Sequence, residues 1–187
     1  VWVSNGTYVV QSSVNLTKDV AVRSVNGAGS TLVQRGAAAV RLFALSHSNA
    51  VLDGLSLFNG SSSDTGGGVY MTAGTVINCI ISNCWAWSGG GIYMTAGLVT
   101  NTTVQACRAS NGGNSQQGGG IWMSAGLVEK CLILSNTTVR AGDGVYLAGG
   151  ELRACEVRGN YAGWGAAVYG SGPCRIRNCL ITGNSGG

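Results

Sequence analysis

The sequence predicts an all-β solenoid, in which the chain winds through short parallel strands and stacks coil upon coil. Three observations carry this. Nine residues recur with little change: "GGGVYMTAG" from Gly66, "GGGIYMTAG" from Gly89 and "GGGIWMSAG" from Gly118, with looser copies "GDGVYLAGG" from Gly142 and "GAAVYGSGP" from Gly165. Apolar residues inside each unit alternate with polar ones, and no window places them at i, i+3, i+4 and i+7 over a helix length. The composition is that of tight corners and little surface charge: 32 glycines, one proline and 10% charged residues, against about 25% in an ordinary domain.

A unit of about two dozen residues cannot bury its own inner face, so neighbouring units stack and share a core. Two or three strands of three to five residues, separated by glycine corners, fill such a unit. The glycines admit bends and a close backbone approach between coils that a Cβ would hinder. The second unit carries an insertion, "NGGNSQQ", of loop character. Residues 1–65, with "VWVSNGTYVV", "VAVRSVNGAGSTLVQ" and "AVLDGLSLFNG", show the same alternation in less regular form and are expected to supply two or three further coils. The expectation is one domain over 1–187, with irregular coils in 1–65 and five regular ones in 66–187. Roughly eight coils at about 4.8 Å each make a rod near 40 Å long.

Stacking turns each repeat position into a column. Three aliphatic columns are expected in the core: Val69, Ile92, Ile121, Val145, Val168; Val76, Val99, Val128, Leu152, Ile176; and Ile81, Val104, Ile133, Val157, Ile181. A fourth inward column reads Cys79, Thr102, Cys131, Cys155, Cys179. A fifth, at a corner, reads Cys84, Cys107, Asn136, Asn160, Asn184, where the asparagines suit an internal amide ladder. For the cysteines the residues leave open buried free thiols, disulfides between coils or a metal site. Parallel, same-facing thiols are poorly placed for a disulfide dihedral near 90°, and the spacings match no common zinc motif.

The column Tyr70, Tyr93, Trp122, Tyr146, Tyr169 lies between two inward columns, so the pleat points it outward. Thr72, Thr95, Ser124, Ala148 and Ser171 run beside it. Five aromatics on successive coils either stabilise the sheet by mutual stacking or form a platform for sugar rings or a lateral partner. Glu129, Arg153 and Arg177 form a further outward column, read as a solvated charge ladder.

The "NGTY" near the start, "LDGLSLFNG", and the repeated "GGGV", "GGGI", "GDGV" and "GAAV" with "ISN", "LSN", "RGN" and "TGN" resemble right-handed parallel β-helix proteins of the pectin-lyase-like superfamily. More narrowly, they resemble repeat-rich bacterial surface proteins, with the passenger repeats of polymorphic outer-membrane proteins and autotransporters. The phenylalanine of those repeats' "FxxN" motif is missing from the five regular units. The resemblance implies the hand of the coil, an extracellular or cell-surface location, and a choice between a structural or adhesive rod and a polysaccharide lyase or hydrolase.

The enzymatic alternative needs paired carboxylates or an acidic calcium cluster with a base. The seven acids are Asp19, Asp53, Asp64, Glu129, Asp143, Glu151 and Glu156. Asp64 and Asp143 sit at similar corners but several coils apart, and Glu129 and Glu151 have Arg153 nearby. His47, the only histidine, has no evident acid partner and reads as a surface residue. No catalytic residue, cofactor or metal motif is assigned. The net charge of +4 is scattered, without the basic stripe of a nucleic-acid binder, and no apolar run approaches the roughly 18 residues of a membrane span. Five N-x-S/T triplets, at Asn5, Asn15, Asn59, Asn101 and Asn136, matter only in a eukaryotic source. Neither terminus reads as a cap, so the chain is expected to be a segment of a longer surface protein or a protomer stacking head to tail into a filament. The expected partners are a glycan or further copies of the chain.

Overall fold

A computed structural model describes residues 1–110, 116–162 and 165–185. Every strand pairing in it is parallel, and each strand pairs with its counterpart one turn earlier or later in the chain. The chain winds through four sheets per regular turn. The first sheet aligns eight strands, from Trp2–Val3 to Cys174–Arg177, and the second another eight, from Gly6–Val10 to Leu180–Thr182. The third has four strands of two residues, Trp85–Ala86, Arg108–Ala109, Thr137–Thr138 and Tyr161–Ala162. The fourth has seven, from Val14–Leu16 to Val168–Gly170. A regular coil therefore holds four strands where the sequence pattern indicated two or three. The additional one is too short to show alternation, and its inward residues Ala86, Ala109 and Thr138 are small. Residues 111–115 of the insertion and the last two of "GNSGG" lie outside the described residues.

The register matches the repeat columns. Val76 pairs with Val99, Val99 with Val128, Val128 with Leu152, and Leu152 with Ile176. Ile81, Val104, Ile133, Val157 and Ile181 follow one another in the second sheet. The inward members from Leu52 to Val157 are fully buried in one continuous core. Outward residues are solvated or paired. Arg23 meets Asp53 at 3.3 Å and Arg153 meets Glu129 at 2.6 Å across adjacent coils, and Arg158 meets Glu156 at 2.5 Å within one strand.

Two corners are made by single residues in the left-handed region. Between the first and second sheets stand Gly54, Asn78, Asn101, Lys130, Ala154 and Asn178, with φ from 48° to 69°. Between the second and third stand Asn59, Asn83, Ala106, Ser135, Gly159 and Gly183, with φ from 50° to 64°. This conformation is costly for residues with a Cβ and easiest for glycine and asparagine. One such residue redirects the strand through a sharp bend while the pairing to adjacent coils resumes on both sides.

The residue after each bend points inward, and this is where the cysteine and asparagine columns lie. The thiol of Cys79 donates to the Ile77 carbonyl at 3.2 Å, that of Cys84 to Ser82 at 3.3 Å, and that of Cys131 to Glu129 at 3.1 Å. Thr102 uses its hydroxyl in the same way on Thr100 at 2.9 Å. Each side chain thus caps a carbonyl two residues back that the bend brings near it. All seven cysteines are free thiols. Burial pushes the Cys79 thiol up to about 12 and raises Cys107 well above the ordinary range. A shared hydrogen bond with Cys155, and burial, raise Cys131. These groups stay protonated at neutral pH.

At Asn136, Asn160 and Asn184 the residue after the bend is longer and reaches an adjacent coil. Asn136 Nδ2 donates to Asn160 Oδ1 at 3.0 Å, and Asn160 Nδ2 to Asn184 Oδ1 at 2.9 Å. Asn136 is fully buried within this ladder, so its N-x-T triplet is not exposed as a glycosylation acceptor.

Candidate functional site

The fourth sheet carries the aromatic column. Tyr70, Tyr93, Trp122, Tyr146 and Tyr169 are direct register partners on five successive strands, each between inward neighbours such as Ile92 and Met94. Adjacent ring centroids lie 5.6, 4.2, 6.3 and 5.3 Å apart, with interplanar angles of 5°, 1°, 6° and 23°. The rings therefore lie face to face along the rod axis, offset as the aromatic quadrupole prefers. Tyr93, Trp122 and Tyr146 each have both faces covered by neighbouring rings and turn their edges to the surroundings.

Below Tyr70 the column continues as Ala44 and Asn15, and the stack ends on a charge. The Arg41 guanidinium sits 4.8 Å from the Tyr70 centroid and donates to the carbonyls of Thr65 and Gly66. Burial lowers the Arg41 pKa, opposed by Asp64 and Tyr70. Burial also raises the Tyr93 phenol, assisted by Tyr70 and Asp64, so Tyr93 remains a hydroxyl donor across the neutral range.

A groove of about 520 Å³ runs beside the upper half of the column. Tyr146 and Tyr169 form one wall; Gln117, Val139, Arg140 and Ala141, from the corner after the third sheet, form the other. Trp122 Nε1 donates to Gln117 Oε1 at 3.3 Å, which links the stack to that wall. The groove thus combines aromatic edges with an amide, a guanidinium and phenol hydroxyls.

A match to the family model described as the right handed beta helix region covers residues 45–187. The chain belongs to the right-handed β-helix family. No curated protein and no solved structure matches it. The family establishes the hand of the coil and the parallel stack, and the pectin-lyase-like architecture is consistent with both.

Within this β-helix the acids do not converge. Asp53, Glu129 and Glu156 are held in ion pairs, Asp19 accepts from Asn49, and among the described residues none that lines the groove is an acid. Among the described residues no group of three or more His, Cys, Asp and Glu is placed to hold a metal ion, and no helix is long and apolar enough to cross a membrane. His47 is half-buried and accepts a hydrogen bond from the Asn49 amide at Nδ1. One acid does stand out. Asp143 is fully buried at the "GDGV" corner, a setting the sequence marks only by an aspartate where the first three regular units have glycine.

Proposed function

We propose that this β-helix is a non-catalytic, stiff rod of an extracellular or cell-surface protein and that it adheres to a glycan chain along its aromatic face. The observation that carries the reading is the groove beside the stack, where Tyr146 and Tyr169 face Gln117 and Arg140 across about 520 Å³. Apolar walls with a few convergent polar groups are the usual form of a small-molecule or glycan subsite. On the lower coils the hydroxyl residues Thr72, Thr95 and Ser124, two positions after Tyr70, Tyr93 and Trp122, are exposed or half-buried beside the aromatic column. Because the ring faces are occupied by one another, the sugar lies across ring edges and hydroxyls instead of stacking flat on each ring.

Retention on a panel of immobilised polysaccharides tests this. At least one polymer is expected to retain the protein. Gln117→Ala and Trp122→Ala should weaken that retention about tenfold, the loss of one or two hydrogen bonds to a ligand, while the circular dichroism of the rod is kept. Failure to bind any polymer, or variants that bind as the parent does, overturns it.

Self-association is a second reading. Ile176 and Ile181, members of inward columns, are 46% and 45% exposed on the last described coil, and further coils of the same chain would cover them equally well. Electron microscopy distinguishes the two: head-to-tail filaments favour self-association, and short single rods exclude it. A lyase or hydrolase is the reading with least support, since it needs carboxyls over the groove and the described residues of its walls carry none. Activity on pectin-like polymers would favour it.

A further inference from the structure

Asp143 occupies a position that the preceding coils reserve for glycine. At Gly67, Gly90 and Gly119 a Cβ would come 2.2, 2.4 and 2.3 Å from the carbonyl oxygens of Trp85, Arg108 and Thr137. In those earlier coils the space beside this position is framed by backbone. Asp143 sends a carboxyl from the equivalent point; the residue is 0% exposed, and among the described residues neither Oδ1 nor Oδ2 has a hydrogen-bond partner. A carboxylate so placed is expensive to keep ionised. Burial accordingly pushes its pKa up to about 7, against weaker opposing contributions from the backbone at Thr138 and Asp143 itself, and no charged side chain adds to the shift.

The corner is tied to its neighbours by backbone bonds. Gly119 and Gly120 donate to Gly142 and Asp143, Gly142 and Gly144 donate to Ala166 and Ala167, and Thr138 Oγ1 donates to Gln116. The ionisable side chains on these segments are Arg140, three residues before Asp143, and Tyr161 on the strand paired with Thr137–Thr138. The same corner carries Val139, Arg140 and Ala141, which form one wall of the groove.

We propose that Asp143 is a proton-controlled latch on residues 138–144. Protonated, the carboxyl stays inside and the corner is closed; ionised, it draws the carboxylate toward water, opens the corner and displaces the groove wall. The opening stands on the burial of Asp143 alone, while its consequence for a ligand rests on the glycan reading. In the opened corner the carboxyl titrates near its ordinary value of about 3.9. The opening equilibrium therefore rises about tenfold per pH unit above that value and levels off once the closed form also ionises, near pH 7 for the shift above.

Amide hydrogen exchange of residues 138–144 in the intact chain, without ligand and corrected for intrinsic base catalysis, reads this directly. Between pH 5 and pH 7 the opening is expected to rise roughly fiftyfold, and then by no more than about a further twofold to pH 8.5. Asp143→Asn should be flat across the range, as should Asp143→Gly, which restores the residue of the earlier corners and serves if the asparagine variant does not fold. A parent protein with pH-independent opening, variants that keep the slope, or a carbon-13 carboxyl titration of Asp143 with its midpoint below about 5 each overturns the latch. If the slope is present but no polysaccharide is retained at any pH, the latch stands and the glycan reading falls.

Discussion

Asn160 sits one coil above Asn136, and its Oδ1 accepts both the backbone N–H and the Nδ2 of Asn136, at 2.9 and 3.0 Å. Asn136 Oδ1 in turn accepts from the Cys107 backbone N–H at 2.9 Å, and Asn160 Nδ2 donates to the Ile133 carbonyl at 2.9 Å. One amide thus satisfies three buried backbone or side-chain groups while occupying the position that Cys84 and Cys107 fill three and two coils earlier. Such networks specify register, because a slip of one residue would strand every member.

Removing a shared acceptor leaves buried donors unsatisfied, at about 1–3 kcal/mol for each group. Asn160→Ala is therefore expected to destabilise the rod by at least about 2 kcal/mol in urea unfolding. Asn160→Cys should cost less, since its thiol can still cap the carbonyl two residues back, as Cys107 caps Gln105 at 3.3 Å. Equal stability of parent and alanine variant would show that the ladder is incidental.

Ala106 holds φ at 50° and Ala154 at 52°, both exposed, at corners where most other coils place asparagine or glycine. An alanine in this region bears strain that glycine does not. Ala106→Gly and Ala154→Gly should each raise stability by roughly 0.5–1 kcal/mol, the usual gain at a positive φ after the entropy of the unfolded chain is deducted. Ala106→Asn should give a similar gain, matching Asn83 one coil earlier. A loss of stability in all three would refute the strain.

These corners also show where legibility in the sequence stops. The columns Val76 to Ile176 and Tyr70 to Tyr169 could be read because the same residue class recurs in register, and the pleat then fixes which side each faces. The bends could not: Asn78, Lys130 and Ala154 share one backbone conformation without sharing any chemistry, and only the cysteine or asparagine after them repeats. The two-residue strands such as Trp85–Ala86 are too short to alternate. For the aromatic column, periodicity gives outward but not rotamer, so a stack with covered faces and a platform with open ones look the same in sequence. The burial of Asp143 left one trace, an acid in a glycine column, which carries meaning only once the crowding around Gly90 and Gly119 is known.

Thiol accessibility follows from the second and first corners together. Cys79, Cys84, Cys107, Cys131 and Cys155 are buried, while Cys174 and Cys179 are half-buried. The thiolate is the reactive form, and burial holds the Cys79 thiol near 12. At pH 8 a thiol reagent is expected to label no more than Cys174 and Cys179 in the native protein, and all seven cysteines in denaturant. Fewer than seven after denaturation without reductant would reveal a disulfide, and rapid native labelling of Cys107 or Cys131 would contradict their burial.

Glycine substitutions separate space from flexibility. A Cβ on Gly90 would stand 2.4 Å from the Arg108 carbonyl oxygen and 2.5 Å from that of Gly119, backbone on both sides. Neither can withdraw without breaking the pairing of adjacent coils, so Gly90→Ala is expected to cost about 3 kcal/mol, at the upper end of overpacking effects. Gly29 has no atom within 4 Å of the same construction and no positive φ. Gly29→Ala removes freedom from the unfolded chain without a clash, and should be neutral or stabilising by up to about 1 kcal/mol. Urea midpoints for the pair decide the matter: if both alanines behave alike, the corner glycines are there for flexibility, and the close approach of coils does not select them.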